Sequence, residues 1–143
     1  MKRGNCRNGL DTDILIRYLT QDDPIQSPKA TEILERRFTR ESPGFVSPFF
    51  ISLVTMAETV WVLGSVYELP DREIADTVER MLQADTLMIQ NEQQVFTATV
   101  ALRRGWGGFA DALIGALGAW AGCDSTLTFD KKAPRLAGFQ LLD

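Results

Sequence analysis

Short apolar runs alternate with longer segments of helical periodicity along this chain, and that alternation limits the folds it can adopt. The short runs are FFI at 49–51, TLMI at 86–89, STLTF at 125–129 and FQLL at 139–142. Between them apolar residues recur at spacings of three and four, as in the segment 53–67. This order predicts an α/β fold of three layers, in which helices cover a central, mostly parallel sheet of four to five short strands.

Capping residues predict where several helices begin and end. Ser27 predicts the start of a helix over 27–40, because a serine hydroxyl accepts backbone N–H groups at a helix start. Ser52 predicts the start of the next helix in the same way. Gly122 predicts the end of an apolar helix over 109–121, since glycine adopts the left-handed backbone that ends many helices.

The segment NCRNGL at 5–10 fits this pattern poorly. A parallel α/β fold usually opens with a buried apolar strand, and this segment is mostly polar. Because 143 residues suit one compact core, we expect a single domain over 1–143 in which residues 1–10 are an uncertain N-terminal segment.

The chain contains no histidine, and this absence restricts its chemistry. It excludes a histidine general acid or base, a Ser-His-Asp or Cys-His nucleophile and a histidine-ligated zinc site. Two cysteines, Cys6 and Cys123, are too few for a disulfide framework or a four-thiolate metal site. The net charge of −4 does not favour nucleic-acid binding, although local charge can override the total.

The sequence predicts a cytoplasmic protein with reduced thiols and no membrane association. Residues 1–9, MKRGNCRNG, are basic and polar, and the apolar region of a signal peptide does not follow them. Glu58 or Asp111 interrupts the longest apolar stretches, which therefore fall short of a membrane-spanning helix.

Two acidic residues stand alone in apolar surroundings. Glu58 is the only charged residue within 44–66, and Asp111 is the only charged residue within 106–122. Neither has an oppositely charged residue three or four positions away to pair with on a helix. Because an uncompensated buried carboxylate is costly, these two residues are candidates for a functional role.

Two further acidic residues lie at the ends of predicted strands. Asp11 precedes the first helix, and Asp130 directly follows the STLTF strand. Ligand sites in parallel sheets form beyond the carboxyl ends of strands, so Asp11, Glu58, Asp111 and Asp130 can converge there. Clustered carboxylates repel one another unless a cation joins them, and oxygen ligands suit Mg²⁺ or Mn²⁺. The residues therefore predict a metal-dependent phosphoryl-transfer enzyme, and they favour a nuclease.

The segments that carry these acids resemble the PIN-domain family, and specifically its VapC-type toxin ribonucleases from bacterial toxin–antitoxin pairs. The resemblance rests on DTDILIRYLTQDDP at 11–24, FFISLVTMAETVWVL at 49–63, FADALIGALGAWAGCDSTLTFD at 109–130 and the AGFQLL tail. The family's four acids, carried over by position, fall on Asp11, Glu58, Asp111 and Asp130.

The resemblance implies that the protein binds Mg²⁺ or Mn²⁺ and cleaves RNA internally. It also implies a homodimer and inhibition by a cognate antitoxin protein. Thr12 and Thr128 would orient the acids through their hydroxyls. The family often has Asn at the position of Asp13, where this chain adds a negative charge near the site.

Two alternative functions remain open from the sequence. The DTDIL segment also matches the D-x-D motif of haloacid-dehalogenase phosphatases, with Asp11 as the nucleophile. That chemistry needs an apolar strand before Asp11, which NCRNGL is not, and it leaves Glu58 unexplained. The other alternative is a catalytically silent PIN scaffold that binds RNA or a protein partner. The presence of all four acids argues against this alternative.

Basic and aromatic residues complete the set of candidates. Trp61 and Trp120 lie in apolar helices, which favours the core or a dimer interface, whereas Trp106 lies in the glycine-rich break GWGG. Six basic residues could form a positive rim for the RNA backbone or belong to an ordinary solvated surface: Arg17, Arg103, Arg104, Lys131, Lys132 and Arg135.

Overall fold

The structure is a computed structural model that describes residues 8–40 and 49–142. The helices are α1 (Thr12–Thr20), α2 (Gln26–Arg40), α3 (Leu53–Ser65), α4 (Asp71–Gln83), α5 (Glu92–Arg103) and α6 (Phe109–Trp120), with a short 3₁₀ turn at Ala133–Arg135. The strands are β1 (Asn8–Gly9), β2 (Phe49–Ile51), β3 (Leu87–Ile89), β4 (Thr126–Thr128) and β5 (Phe139–Leu141). The predicted α/β class is confirmed.

The strands of the described ranges pair in parallel, as predicted, but they form two sheets. One sheet has the order β1-β2-β3, in which Asn8 pairs with Phe49 and Phe49 pairs with Leu87. The other sheet joins β4 to β5, in which Thr126 pairs with Phe139. The described ranges thus contain five short strands, three in one parallel sheet and two in the other, in keeping with the predicted fold of four to five mostly parallel strands.

The first strand forms although its sequence is polar. Parallel pairing uses backbone groups, and the N–H of Leu10 donates to the carbonyl of Phe50 at 3.0 Å, one residue beyond β1. Asn8 and Gly9 are exposed, whereas Leu10 is buried. The strand thus pairs with β2 without burying a polar side chain, and a pattern of apolar residues is not needed to form it.

The chain divides into two compact units. The first contains the described residues up to Tyr67 together with Gln83–Gln90, and it holds the three-stranded sheet, α1, α2 and α3. The second contains Glu68–Leu82 and the described residues from Asn91 onward, and it holds α5, α6 and the two-stranded sheet.

The core of the first unit surrounds its central strand. Phe49 and Ile51 of β2 are almost fully buried, and so are Met56 and Leu63 on the inner side of α3. Burying an apolar side chain of this size contributes roughly 1.5–3 kcal/mol to folding, so these residues hold α3 against the sheet. Helices α1, α2 and α3 also pack together, with α1 in contact with both others.

The predicted helix cap is confirmed for α3 and is wrong for α2. Ser52 caps α3, since its hydroxyl accepts the N–H of Thr55 at 3.1 Å. At α2 the prediction is wrong: the carboxylate of Asp23 accepts the N–H groups of Ile25 and Gln26 at 2.9 and 2.6 Å. Ser27 lies inside the first turn and is buried, and its hydroxyl donates to a backbone carbonyl of α1. A carboxylate before the helix provides the stronger acceptor, which leaves the serine for a contact between helices.

Small residues let α6 of the second unit approach the two-stranded sheet. A Cβ on Gly115 would lie 2.5 Å from the ring of Phe139, and a Cβ on Gly118 would lie 2.8 Å from the hydroxyl of Thr126. Gly122 follows the helix with φ of 96°, so the predicted glycine end of α6 is confirmed.

Trp61 and Trp120 are 65% and 67% exposed, so the prediction that they lie in the core is wrong. Trp61 projects from one side of α3, whereas Met56 and Leu63 lie on the opposite side and are buried in the core. The alternative, a dimer interface, stays a prediction.

None of the helices in the described ranges is long and apolar enough to cross a membrane.

The hydroxyl of Thr59 predicts a stabilising substitution. Thr59 is 1% exposed, and its hydroxyl finds no hydrogen-bond partner among the described residues. Because an unsatisfied buried hydroxyl is costly, we expect Thr59→Val to raise the free energy of unfolding by about 1–2 kcal/mol in urea titrations. Thr99 is the matched control, since it is equally buried but its hydroxyl donates to the carbonyl of Val95 at 2.8 Å. Thr99→Val should not stabilise the protein, and a loss of stability in Thr59→Val would contradict the assignment.

Candidate active site

Asp11 lies directly after the first strand and begins α1. Its carboxylate accepts the N–H of Thr12 at 2.8 Å, and its carbonyl accepts the N–H groups of Ile14 and Leu15. The side chain is exposed, as is that of Asp13 in the first helical turn. Asp11 is therefore an exposed helix cap at the carboxyl end of a parallel strand.

Glu58 lies in the second turn of α3 and contacts the start of α1. The hydroxyl of Thr12 donates to Oε1 of Glu58 at 2.5 Å, a short hydrogen bond to a charged acceptor. Thr12 therefore holds Asp11 through its backbone N–H and Glu58 through its side chain. The hydroxyl of Thr12 therefore contacts an acid, as the resemblance implied, and that acid is Glu58.

Exposed apolar residues flank Glu58 on the same face of α3. Val54 lies one turn before it and Trp61 almost one turn after it, and they are 78% and 65% exposed. Glu58 itself is exposed, so it is not the uncompensated buried carboxylate that its apolar neighbours in sequence suggested. The isolation of Glu58 in the sequence instead marks an outward face that combines one carboxylate with large apolar groups.

Asp111 lies in the first turn of α6 in the second unit. The helix begins after Gly108, and a Cβ on Gly108 would lie 4.0 Å from Oδ2 of Asp111, so the carboxylate folds back toward the helix start. The positive end of the helix dipole stabilises a negative charge there. The side chain of Asp111 is exposed to solvent.

Asp130 lies two residues beyond β4 and organises the turn that follows. Its backbone N–H donates to the hydroxyl of Thr128 at 3.0 Å, and its carboxylate accepts the N–H of Lys132 at 2.9 Å. The implied contact between Thr128 and Asp130 is thus made through the backbone of Asp130 and not through its carboxylate. The side chain is exposed beyond the carboxyl end of the strand.

The four carboxylates have the chemistry that a hard divalent cation requires. All four are exposed, and none forms an ion pair with a described Lys or Arg of its own unit. Carboxylate oxygens of this kind fit Mg²⁺ or Mn²⁺. Asp11 and Glu58 belong to the first unit, Asp111 and Asp130 to the second, and within either unit the described residues contain no group of three such side chains arranged to hold a metal. That all four share one pocket stays a prediction.

Two of the six basic residues suggested for an RNA-binding rim are engaged elsewhere. Arg17 pairs with Asp22 at 3.2 Å, and Arg103 pairs with Asp76 and Glu79 at 2.8 and 3.0 Å. The Asp76 hydrogen bond and the two carboxylates raise the pKa of Arg103 further above its usual range. Each of these arginines therefore has a structural partner in its own unit.

The remaining basic residues are exposed in the second unit. The guanidinium of Arg104 lies 5.4 Å from the ring centre of Trp106, which is itself 47% exposed. This cation–π pair keeps a charge and an aromatic surface side by side in the glycine-rich break. Lys131, Lys132 and Arg135 are exposed around the turn that follows Asp130.

A sequence model of the PIN domain matches residues 10–139, which is nearly all of the chain and includes the four carboxylates. A search of curated proteins finds no match. The matched segment carries the α/β order and the parallel strands described above, and it begins just before the helix that Asp11 caps. The chain therefore belongs to the PIN domain family.

Proposed function

We propose that this protein is a Mg²⁺- or Mn²⁺-dependent endoribonuclease and that it is the toxin of a toxin–antitoxin pair. PIN domains are generally metal-dependent nucleases that use divalent metal ions. The observation that carries the proposal is the contact of Thr12 with both Asp11 and Glu58, two acids that lie 47 positions apart in the sequence.

The contact supports a nuclease because it holds two exposed carboxylates beside the end of a parallel strand. Thr12 binds Asp11 through its N–H and Glu58 through its hydroxyl, so neither acid depends on a cation of the protein to keep its position. The two negatively charged carboxylates repel each other, and binding of a divalent cation relieves that repulsion. The same exposure lets a phosphodiester approach the carboxylates from solvent.

We propose Asp11, Glu58, Asp111 and Asp130 as the residues that hold the metal. Bound there, Mg²⁺ or Mn²⁺ would supply the activation of water and the screening of phosphate charge that phosphodiester hydrolysis requires. Thr12 keeps Glu58 oriented, and Asp111 lies in the first turn of α6, at the positive end of the helix dipole. The protein chain needs no histidine and no covalent intermediate for this reaction.

RNA is the substrate we propose, and exposed groups of the second unit support it. Lys131 and Lys132 follow Asp130 directly and can neutralise backbone phosphates. Trp106, with Arg104 against its ring, offers a stacking surface for an unpaired base. Because the net charge of the chain is −4, it is this local group of basic residues, and not the total charge, that attracts RNA.

The proposal includes a homodimer, a protein antitoxin and a cytoplasmic location, all implied by the resemblance to VapC-type toxins. Exposed Trp61 and Trp120 support protein–protein contacts, because large aromatic residues are enriched at interfaces.

A circular RNA tests the reaction class most directly, because only an internal cut can linearise it. We expect the purified protein to linearise the RNA with Mg²⁺ or Mn²⁺, to stop when a chelator is added, and to resume when the metal is restored in excess. Cleavage that survives the chelator would contradict the metal assignment. RNA that is bound but uncut with metal would indicate a silent scaffold, and a phospho-aspartyl intermediate on Asp11 would indicate a phosphatase.

A further inference from the structure

Asp22 lies at the centre of a hydrogen-bond network at the far end of α1. Its carboxylate accepts the hydroxyl of Tyr67 at 2.6 Å, the hydroxyl of Thr20 at 2.7 Å and the guanidinium of Arg17 at 3.2 Å. Arg17 also donates to the oxygen of Tyr67 at 3.3 Å and to Gln26 at 2.9 Å. The hydrogen bonds from Tyr67 and Thr20 lower the pKa of Asp22, so the carboxylate is charged at neutral pH.

Both sides of this network are anchored to helix ends. Thr20, the last residue of α1, also donates its hydroxyl to the carbonyl of Ile16 at 2.7 Å. Tyr67 follows α3, and its N–H donates to the carbonyl of Val62 at 3.2 Å, which extends the last turn. The bond between Asp22 and Tyr67 therefore joins the carboxyl-terminal end of α1 to that of α3.

The same two helices meet at their other ends through Thr12 and Glu58. The sequence separation is 46 residues for Thr12 and Glu58, and 45 residues for Asp22 and Tyr67. Nearly equal separations mean that α1 and α3 run in the same direction and stay in register between the two contacts. The contacts lie at the two ends of α1, whose nine residues span roughly 13 Å at 1.5 Å per residue.

We propose that Asp22 and Tyr67 are positioning residues, which fix the register of α1 against α3 and so keep the hydroxyl of Thr12 on Glu58. A change of one residue in register displaces a side chain by about 1.5 Å along the helix, which is enough to break a hydrogen bond. The importance of this register for catalysis rests on the proposed function of Glu58. The register itself is inferred from the hydrogen bonds and does not depend on that function.

A double-mutant cycle on stability tests the register without any assay of activity. Tyr67→Phe removes the phenolic oxygen, and Thr12→Val removes the hydroxyl that binds Glu58. We expect Tyr67→Phe to raise the unfolding equilibrium constant by about tenfold in the wild-type chain but only by about threefold in Thr12→Val, because part of its effect is the loss of the Thr12 contact. Side chains this far apart normally contribute additively, so additive effects would overturn the proposal.

Tyr18→Phe is the matched control. It removes a phenolic oxygen from the same unit, but the hydroxyl of Tyr18 donates to Glu35 of α2 at 3.0 Å and not to α3. Its effect should be the same with Thr12 and with Thr12→Val. Asp22→Asn weakens the network from the side of α1, so its effect should also be smaller in Thr12→Val than in the wild-type chain. Thr12→Ser keeps a hydroxyl, so Tyr67→Phe should have its full effect in that background. Coupling of Tyr18→Phe as strong as that of Tyr67→Phe would also overturn the proposal.

Kinetics of RNA cleavage separate the inference from the proposed function. In an active protein, Tyr67→Phe should lower kcat by about tenfold and leave KM within about twofold, since misplacing a catalytic group affects the chemical step. Tyr18→Phe should change neither constant. If the wild-type chain cuts no RNA, the proposed function fails and the stability cycle still decides the register. If the wild-type chain cuts RNA and the cycle is additive, the positioning role fails alone.

Discussion

Glu58→Gln is expected to reduce the rate of RNA cleavage by about 10²–10³-fold at saturating Mg²⁺ or Mn²⁺, because stabilisation by a bound metal is worth several kcal/mol in the transition state. The glutamine amide keeps the size of the side chain and an oxygen that can accept the hydroxyl of Thr12. It lacks the negative charge that a divalent cation requires. The substitution therefore separates the charge of Glu58 from its place in the fold.

Glu68→Gln is a suitable control for this measurement. Glu68 is also exposed and lies ten positions later, outside the segments proposed to bind metal. Its substitution should leave single-turnover rates within about twofold of the wild type, since exposed substitutions away from a site have small effects. A wild-type rate in Glu58→Gln, with the fold intact by circular dichroism, would remove Glu58 from the metal site.

Asp111→Asn is expected to abolish most of the stabilisation that Mn²⁺ gives to the folded protein. At about a hundred times its dissociation constant, a ligand that binds only the folded state adds about 2.7 kcal/mol to the free energy of unfolding. Without metal, Asp111→Asn should change stability by less than about 1 kcal/mol, because the side chain is exposed and its interaction with the helix dipole is of that order. Urea unfolding at increasing Mn²⁺, with and without chelator, gives both quantities.

Asp124→Asn is the control for metal-dependent stability, since Asp124 is exposed and follows α6 at its other end. It should retain the full response to Mn²⁺. Equal stabilisation of the wild-type chain and Asp111→Asn by Mn²⁺ would contradict a role for Asp111 as a ligand. A large loss of stability in Asp111→Asn without metal would indicate a structural role instead.

The local pattern of the sequence was enough to predict most helices and strands. Periodicity over 53–67 and the cap at Ser52 correspond to α3, and the β-rich run at 125–129 corresponds to β4. Gly122 ends α6 as expected. These features depend on residues within one or two turns of each other, so the sequence carries them directly.

The sequence also showed that Glu58 and Asp111 stand alone among apolar residues, but it did not show whether their side chains are buried. The apolar neighbours suggested buried carboxylates, whereas the structure places both side chains in solvent. A helix buries only one face, so a charged residue in an apolar helix can lie on the outer face together with exposed residues such as Trp61. Periodicity shows that two faces exist but does not show how wide the buried face is.

Amino-acid order alone determined the class of fold, the position of most elements and the identity of the candidate acids. Tertiary structure decided that Thr12 binds Glu58, that Arg17 and Arg103 are engaged by carboxylates and that Ser27 joins α2 to α1. The strands likewise divide into two sheets through pairings between distant segments. Partners tens of residues apart meet only after the chain has packed, because short-range propensities contain no information about which distant groups satisfy each other's hydrogen bonds and charges.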